Sequence, residues 1–149
     1  MSIIRVTKEF NFEMAHALWN YDGKCRNVHG HSYKLFVTVI GNPINDENNP
    51  KHGMVIDFGD LKQIVNTEII SKYDHCLVLS EKSPFEKLKI VDQMFDRIEI
   101  TSYQPTCENM IEDFANKIQK KLPSNVKLLS LRLYETETSF GEWFADDQK

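Results

Sequence analysis

Cysteine is scarce in this chain: its 149 residues contain only Cys25, Cys76 and Cys107. An odd number of cysteines without a regular spacing excludes a small fold that is held together by disulfide bonds. A chain of this length also buries enough apolar surface to fold without such bonds. We therefore expect free thiols and a cytoplasmic location, where thiols stay reduced.

Long apolar runs and an excess of basic residues are also missing. No stretch is apolar enough to span a membrane, and the opening MSIIRVTKEF alternates like a strand and does not resemble a signal peptide. The 18 Lys and Arg residues are outnumbered by 22 Asp and Glu residues, and the net charge is −4. We expect no membrane or nucleic-acid partner, although a small basic patch for a phosphorylated substrate is compatible with this charge.

Repeats, low-complexity tracts and long linkers are absent as well, so the sequence predicts one domain over residues 1–149. The first 41 residues show two alternating segments. In residues 3–16 the apolar side chains share one face with His16, and His29–Gly41 alternates in the same way. A period of two predicts two long strands.

Helical patterns follow these strands. Asp57 is a typical N-cap residue and precedes apolar residues at helical spacing. In PTCENMIEDFANKIQKKL, Thr106 predicts the cap of a second amphipathic helix and Pro123 its end. Weaker patterns predict a helix over residues 83–94, a short strand over 97–101 and a strand hairpin over 126–136 and 140–145. The sum is an α+β domain with helices on one face of an antiparallel sheet.

Three histidines are predicted to converge at one end of this sheet. His29 and His31 lie at positions i and i+2 of a strand, so both side chains project from the same face. His16 ends the preceding strand, and pairing of the two strands would bring the three imidazoles together. Zinc binds imidazole nitrogens at about 2.0–2.1 Å, and three protein ligands leave its fourth position open for catalysis. The same ligands would also accept iron or another divalent ion.

Cys25, four residues before His29, leaves two interpretations open. As a fourth ligand, its sulfur would close a structural site of three histidines and one cysteine. As a thiolate beside the metal, it would act as a nucleophile or a base, and the flanking Lys24 and Arg26 favour the thiolate. The spacing alone does not decide between them.

Six blocks between Phe10 and Trp143 resemble, in order, the motifs of the 6-pyruvoyl-tetrahydropterin synthase superfamily. They are FNFEMAHAL, C-x-x-x-HGHSY, GMVIDFGDLK, YDHCLVL, PTCEN and YETETSFGEW. The short C-x-x-x-HGH spacing is similar to that of the bacterial 6-carboxytetrahydropterin synthases of queuosine biosynthesis. The resemblance implies a tunnelling fold, a four-stranded antiparallel sheet with two helices on one side. Three subunits would close a twelve-stranded β-barrel, and two trimers would stack as a homo-hexamer.

The resemblance also implies catalytic roles. Cys25 would act as a general base on the substrate side chain. Asp74 and His75 would form a second proton-transfer pair, in which Asp74 orients His75 and raises its basicity. The zinc ligands would be the three histidines, His16, His29 and His31.

Three further residues would contact the pterin by the same resemblance. Glu135 would accept two parallel hydrogen bonds from the heterocycle, while Thr106 and Glu108 would lie near its edge. Simpler interpretations stand beside these roles. Glu135 would then be an exposed strand carboxylate and Glu108 a favourable charge on the helix dipole, and Asp74–His75 would be a surface turn pair.

The implied reaction converts 7,8-dihydroneopterin triphosphate into 6-carboxy-5,6,7,8-tetrahydropterin and releases acetaldehyde and triphosphate. The alternatives are a pyruvoyl synthase, which eliminates triphosphate without losing carbons, and a zinc-containing pterin-binding protein without turnover. A third alternative is a synthase that makes a hydroxymethyl-pterin. It is disfavoured, because the resemblance implies that such relatives carry a glutamate near the position at which this chain has Cys25. Cations for the triphosphate would come from Lys24, Arg26, Lys34 or a neighbouring subunit. The connection over residues 79–105 is longer than in the family pattern. This departure leaves open how the substrate tail is held.

Overall fold

The computed structural model describes residues 2–84, 89, 91 and 93–149. Within these residues the strands are β1 Ile4–His16, β2 His29–Gly41, β3 Cys76–Ser80, β4 Ile98–Thr101, β5 Val126–Thr136 and β6 Ser139–Phe144. The helices are α1 Phe58–Val65, α2 Ser71–Tyr73 and α3 Cys107–Gln119, and a π-helical segment, Asn66–Ile70, joins α1 to α2. Short 3₁₀ turns span Lys24–Arg26 and Ala145–Gln148.

The strands form one sheet in the order β4-β3-β1-β2-β5-β6. Antiparallel pairing of β1, β2, β5 and β6 confirms the predicted antiparallel arrangement for four of the six strands. The expected count of four strands is too small, because β3 pairs in parallel with β1 and β4 pairs in parallel with β3. All residues of β3 are buried. Its sequence CLVLS therefore lacks the alternation that indicates a half-exposed strand.

Capping side chains begin α1 and α3 as the sequence predicted. Asp57 Oδ1 accepts the N–H of Gly59 at 2.7 Å, and Thr106 Oγ1 accepts the N–H of Asn109 at 3.2 Å. The buried stripe of α3 consists of Cys107, Met110, Ile111, Phe114, Ala115 and Ile118. Half of the residues of the helix predicted over 83–94 lie outside the described residues. No helix in the described part of the chain has the length and apolar character that a membrane crossing needs.

The hydrophobic core lies between the helices and one face of the sheet. Phe12 stacks on Tyr33 with ring centroids 4.9 Å apart, and its edge meets Phe114 of α3 at 6.1 Å. Residues that alternate with these core side chains, such as Asn11 and Lys34, are exposed on the opposite face. Since side chains of a strand alternate between faces, the alternation that builds the core also aims the histidines at the end of β1 and the start of β2 toward the helix side.

Candidate metal centre and active site

The hairpin of β1 and β2 brings the three predicted histidines together. Its register pairs His16 with His29 and Met14 with His31. One nitrogen from each imidazole lies within 4.8 Å of the others, and His16 Nε2 is 3.0 Å from His29 Nε2. His16 is buried, with 1% of its surface exposed, while His29 and His31 are partly buried.

Backbone carbonyls fix the orientation of two of these rings. His16 Nδ1 lies 2.7 Å from the carbonyl oxygen of Pro105, and His29 Nδ1 lies 2.7 Å from that of Asn27. A carbonyl only accepts hydrogen bonds, so both Nδ1 atoms carry the proton. The Nε2 lone pairs of His16 and His29 therefore face each other, and the buried His31 Nε2 has no hydrogen-bond partner.

This donor set fits a divalent metal ion. Converging lone pairs repel each other unless a cation lies between them, and imidazole nitrogens are ordinary zinc ligands. Burial lowers the pKa of His16 to about 4, and burial also lowers the pKa of His31. The His16 and His31 rings are therefore neutral at physiological pH, which is the form that binds metal. Among the described residues this cluster contains the three histidines and not Cys25.

Glu135 lies beside the histidine cluster. Its Oε1 is 3.4 Å from both His16 Nε2 and His31 Nε2. A register shift in the pairing of β5 with β6, between Tyr134 and Thr136, interrupts the ladder at this residue. Such bulges re-aim a side chain within a strand. Glu135 is therefore no isolated surface carboxylate, although its position suits both a ligand contact and a fourth metal ligand.

Cys25 lies in the 3₁₀ turn between β1 and β2. Its backbone carbonyl accepts the N–H of Leu18 at 3.0 Å, which closes the loop over the end of β1. The side chain is partly buried, whereas Cys76 and Cys107 are buried. Burial raises the pKa of Cys107 to about 11 and also raises that of Cys76. Cys25 is thus the cysteine with access to solvent.

Asp74 and His75 form a hydrogen-bonded pair on the turn between α2 and β3. Asp74 Oδ1 is 3.0 Å from His75 Nδ1 and also accepts the N–H of Glu13 at 2.9 Å. Chiefly because of that backbone hydrogen bond, with His75 adding to it, the pKa of Asp74 lies below its usual range. His75 has a φ of 58°, a conformation that non-glycine residues rarely adopt outside special turns.

One cavity of about 690 Å³ is lined by one residue of the histidine cluster and one residue of this pair. His31 and His75 both line it, together with Ser32, Cys76 and the segment 94–97. Arg97 is the one lysine or arginine among the described residues that line it. The predicted triphosphate cations, Lys24, Arg26 and Lys34, do not line it.

Thr106 and Glu108 lie at the start of α3, close in sequence to the carbonyl that orients His16. Thr106 is partly buried and its hydroxyl caps the helix. Glu108 is exposed in the first turn, where a negative charge interacts favourably with the helix dipole. The simpler interpretation of Glu108 therefore still stands.

The sequence analysis missed several groups that shape the site. The carbonyls of Asn27 and Pro105 orient the imidazoles, while Glu13 and Arg97 contact the turn that carries Asp74 and His75. Backbone carbonyls leave no mark in a sequence. Glu13 lies on the outward face of β1, so the alternation pattern gave it no role.

Comparison with known proteins identifies the family of the chain. A family profile described as 6-pyruvoyl tetrahydropterin synthase matches residues 5–145. A Haemophilus influenzae protein named 6-carboxy-5,6,7,8-tetrahydropterin synthase is 34% identical, with 95% of this chain and 99% of that protein covered. A Rickettsia typhi protein of the same name is 32% identical, with coverage of 94% and 99%.

Solved structures show the same fold. The structure of Plasmodium falciparum 6-pyruvoyl tetrahydropterin synthase matches with a TM-score of 0.73 at 23% identity, over 96% of this chain and 98% of that one. At that level of identity the similarity establishes the fold and leaves the reaction to other arguments. The predicted α+β tunnelling-fold class is thereby confirmed.

Proposed function

This chain belongs to the 6-pyruvoyl tetrahydropterin synthase family, and we propose that it is a zinc-dependent 6-carboxytetrahydropterin synthase. The reaction would convert 7,8-dihydroneopterin triphosphate into 6-carboxy-5,6,7,8-tetrahydropterin, with loss of acetaldehyde and triphosphate. It would make the protein a carbon–carbon lyase of queuosine biosynthesis. The observation that carries the proposal is that His31 of the three-histidine cluster and His75 of the Asp–His pair line the same cavity.

The metal would be held by Nε2 of His16 and His29 together with His31. The carbonyls of Pro105 and Asn27 keep the first two rings in the tautomer that leaves Nε2 free. A bound Zn²⁺ ion supplies Lewis-acid polarisation of substrate oxygen atoms. Iron remains chemically compatible with the same ligands.

Proton transfer would fall to Cys25 and to the Asp74–His75 pair. Asp74 Oδ1 holds the Nδ1 side of the imidazole at 3.0 Å, so His75 Nε2 is the nitrogen that exchanges a proton with the substrate. Cys25, on the loop that closes over the end of β1, would act as the second base on the substrate side chain. Two bases on separate elements allow protons to be removed and returned at different carbons.

Glu135, Thr106 and Glu108 would bind the pterin. A carboxylate accepts two parallel hydrogen bonds from the 2-amino group and the ring N3–H, which selects this heterocycle. The position of Glu135, 3.4 Å from two histidine Nε2 atoms, would place the ring next to the metal. The triphosphate would then extend toward cations of a neighbouring subunit, since Lys24, Arg26 and Lys34 do not line the cavity.

We further propose that residues 1–149 act as one tunnelling-fold domain. It would assemble as a cytoplasmic homo-hexamer, a dimer of trimers in which each trimer closes a β-barrel. Barrel closure would pair the edge strands β4 or β6, which carry unpaired backbone groups in a single chain. Sedimentation analysis of the zinc-loaded protein tests the assembly, and a stable monomer would contradict it.

A product assay tests the reaction. Zinc-loaded protein is incubated with dihydroneopterin triphosphate, and products are identified by mass spectrometry with acetaldehyde trapped alongside. 6-Carboxytetrahydropterin together with acetaldehyde is the expected result. A pyruvoyl product would leave the site assignment unchanged and identify a different reaction. Recovery of intact substrate after incubation with zinc-loaded protein would contradict the enzyme assignment.

One observation favours a second candidate, a zinc-containing pterin-binding protein without turnover. Glu135 lies close enough to the histidines to become a fourth ligand, and a closed site leaves no position for a substrate oxygen. The sequence also leaves Cys25 open as the closing ligand. If the chain is an enzyme, Cys25→Ala keeps its zinc and loses roughly 10²–10⁴ in kcat. If Cys25 closes the site, the same change releases zinc.

A further inference from the structure

The turn that carries Asp74 and His75 has little packing of its own. The side chain of His75 is 73% exposed, and its backbone has a φ of 58°. A ring in that position keeps one orientation only if neighbouring groups fix the turn. Two residues from distant parts of the chain, Glu13 and Arg97, make those contacts.

Glu13 fixes the turn from β1 through its backbone. Its N–H donates to Asp74 Oδ1 at 2.9 Å, and its carbonyl accepts the N–H of His75 at 2.6 Å. These contacts are available to any residue at position 13 because they use backbone atoms alone. They restrain one side of the turn.

Arg97 fixes the other side through both its side chain and its backbone. Its Nε donates to the carbonyl of Asp74 at 3.0 Å, and its Nη2 donates to that of Ser71 at 2.7 Å. Its own carbonyl accepts the N–H of Leu77 at 3.0 Å. Arg97 therefore forms hydrogen bonds with the chain immediately before and shortly after His75.

We propose that Arg97 is a positioning residue for the Asp74–His75 pair. A planar guanidinium presents donors in a fixed fork, so it reaches the Asp74 and Ser71 carbonyls together, which a lysine ammonium on a flexible stem does not. Arg97 comes from residues 79–105, the segment whose length departs from the family pattern. The expected effect of Arg97 on catalysis rests on the proposed function. Its expected effect on the orientation of His75 rests on the geometry alone.

Kinetics of the zinc-loaded protein with dihydroneopterin triphosphate test the role. In Arg97→Gln we expect kcat to fall at least about tenfold with KM within about twofold, because misplacing a catalytic group by about 1 Å can cost a hundredfold. Zinc content should stay unchanged. The matched control is Lys72→Gln, which removes a neighbouring cation that pairs with Glu99 at 3.2 Å; its kcat should stay at the wild-type value.

Nitrogen-15 NMR of the imidazoles gives a readout that does not need turnover. In the wild type, His75 should hold its proton on Nδ1, facing Asp74, and Arg97→Gln should mix the two tautomers; His75→Gln assigns the signal. Arg97→Lys should show an intermediate tautomer mixture and an intermediate kcat. If Arg97→Gln does not fold, the lysine variant decides the question.

Several results would overturn the role. These are an unchanged kcat in Arg97→Gln, a lower kcat with an unaltered His75 tautomer, or a raised KM with kcat intact, which would make Arg97 a substrate-binding group. If Arg97→Gln does not fold, and Arg97→Lys has the kinetics and the His75 tautomer of the wild type, the role would also be overturned. An inactive wild type would refute the proposed function only, and the tautomer comparison would still decide the role of Arg97.

Discussion

The two sides of the cavity are built in opposite ways. The metal side has one buried and two partly buried histidines on two 13-residue strands, and each ring is placed by strand register. The proton-transfer side has an exposed histidine on a turn with a positive φ, held by hydrogen bonds from β1 and from the segment before β4. Strand register makes the metal geometry robust, whereas the turn depends on a few separate contacts.

This difference has a chemical reason. A metal site needs several lone pairs at fixed distances, which a rigid sheet supplies. A group that exchanges protons with a substrate needs access, so it lies at the rim and depends on supporting residues for its orientation. Substitutions on the two sides should therefore fail differently.

Removal of a histidine ligand should have the largest effect. His31→Ala leaves two imidazoles, so we expect loss of zinc and of all measurable synthase activity. Metal analysis and the product assay check both. His52→Ala, in an exposed loop, is the control and should keep zinc and activity. Retention of stoichiometric zinc by His31→Ala would refute the assignment of His31 as a ligand.

Removal of the exposed imidazole should affect catalysis alone. In His75→Gln we expect kcat to fall by roughly 10²–10⁴, the usual contribution of general acid–base catalysis. Zinc content and thermal stability should match the wild type, because the side chain is 73% exposed. His52→Gln serves as the matched control. A His75 variant that loses zinc would show that the two sides are not independent.

The buried side should also determine how the metal-free protein responds to pH. The pKa of His16 is lowered to about 4 in the folded state. As pH falls from 6.5 toward 4, the unfolded state therefore binds a proton on this histidine while the folded state does not. The free energy of unfolding should therefore decrease by about 3 kcal/mol between pH 6.5 and pH 4 and show no further contribution from this group below pH 4.

Denaturant titrations of zinc-free protein across that pH range measure the effect. Carboxylates contribute to the same curve, so the comparison is with His16→Gln, in which the histidine-dependent part of the slope should disappear. Identical slopes in the two proteins would contradict the low pKa of His16.

Glu135 lies next to the metal side and is proposed to bind the pterin, so its substitution tests whether it acts on the substrate or on the metal. Of the changes considered, its substitution should have the smallest effect on activity. If it binds the pterin, Glu135→Gln should keep zinc and raise KM by roughly tenfold to a hundredfold, the value of one charge-assisted pair. Glu137→Gln, two residues along and exposed, is the control. Loss of zinc from Glu135→Gln with no change in KM would instead identify a fourth metal ligand.

Much of the metal side was predictable from sequence. The period of two placed β1 within one residue of its observed start and β2 at its observed bounds, and it put the histidines on one face. β3 was missed, because a strand that is buried on both faces has no alternation. Glu135 was predicted through a family motif, yet its approach to His16 depends on an interrupted ladder that has no local sequence pattern.

The sequence was sufficient to predict the two long strands, the helix caps and the shared face of His29 and His31, because each follows from the spacing of neighbouring residues. Tertiary structure alone decided which nitrogen of His16 is free and how the Asp74–His75 turn is held. Those properties come from hydrogen bonds between residues far apart in the chain, such as His16 with Pro105 and Asp74 with Arg97. Such contacts exist only after the sheet and helices have packed, so no local pattern encodes them.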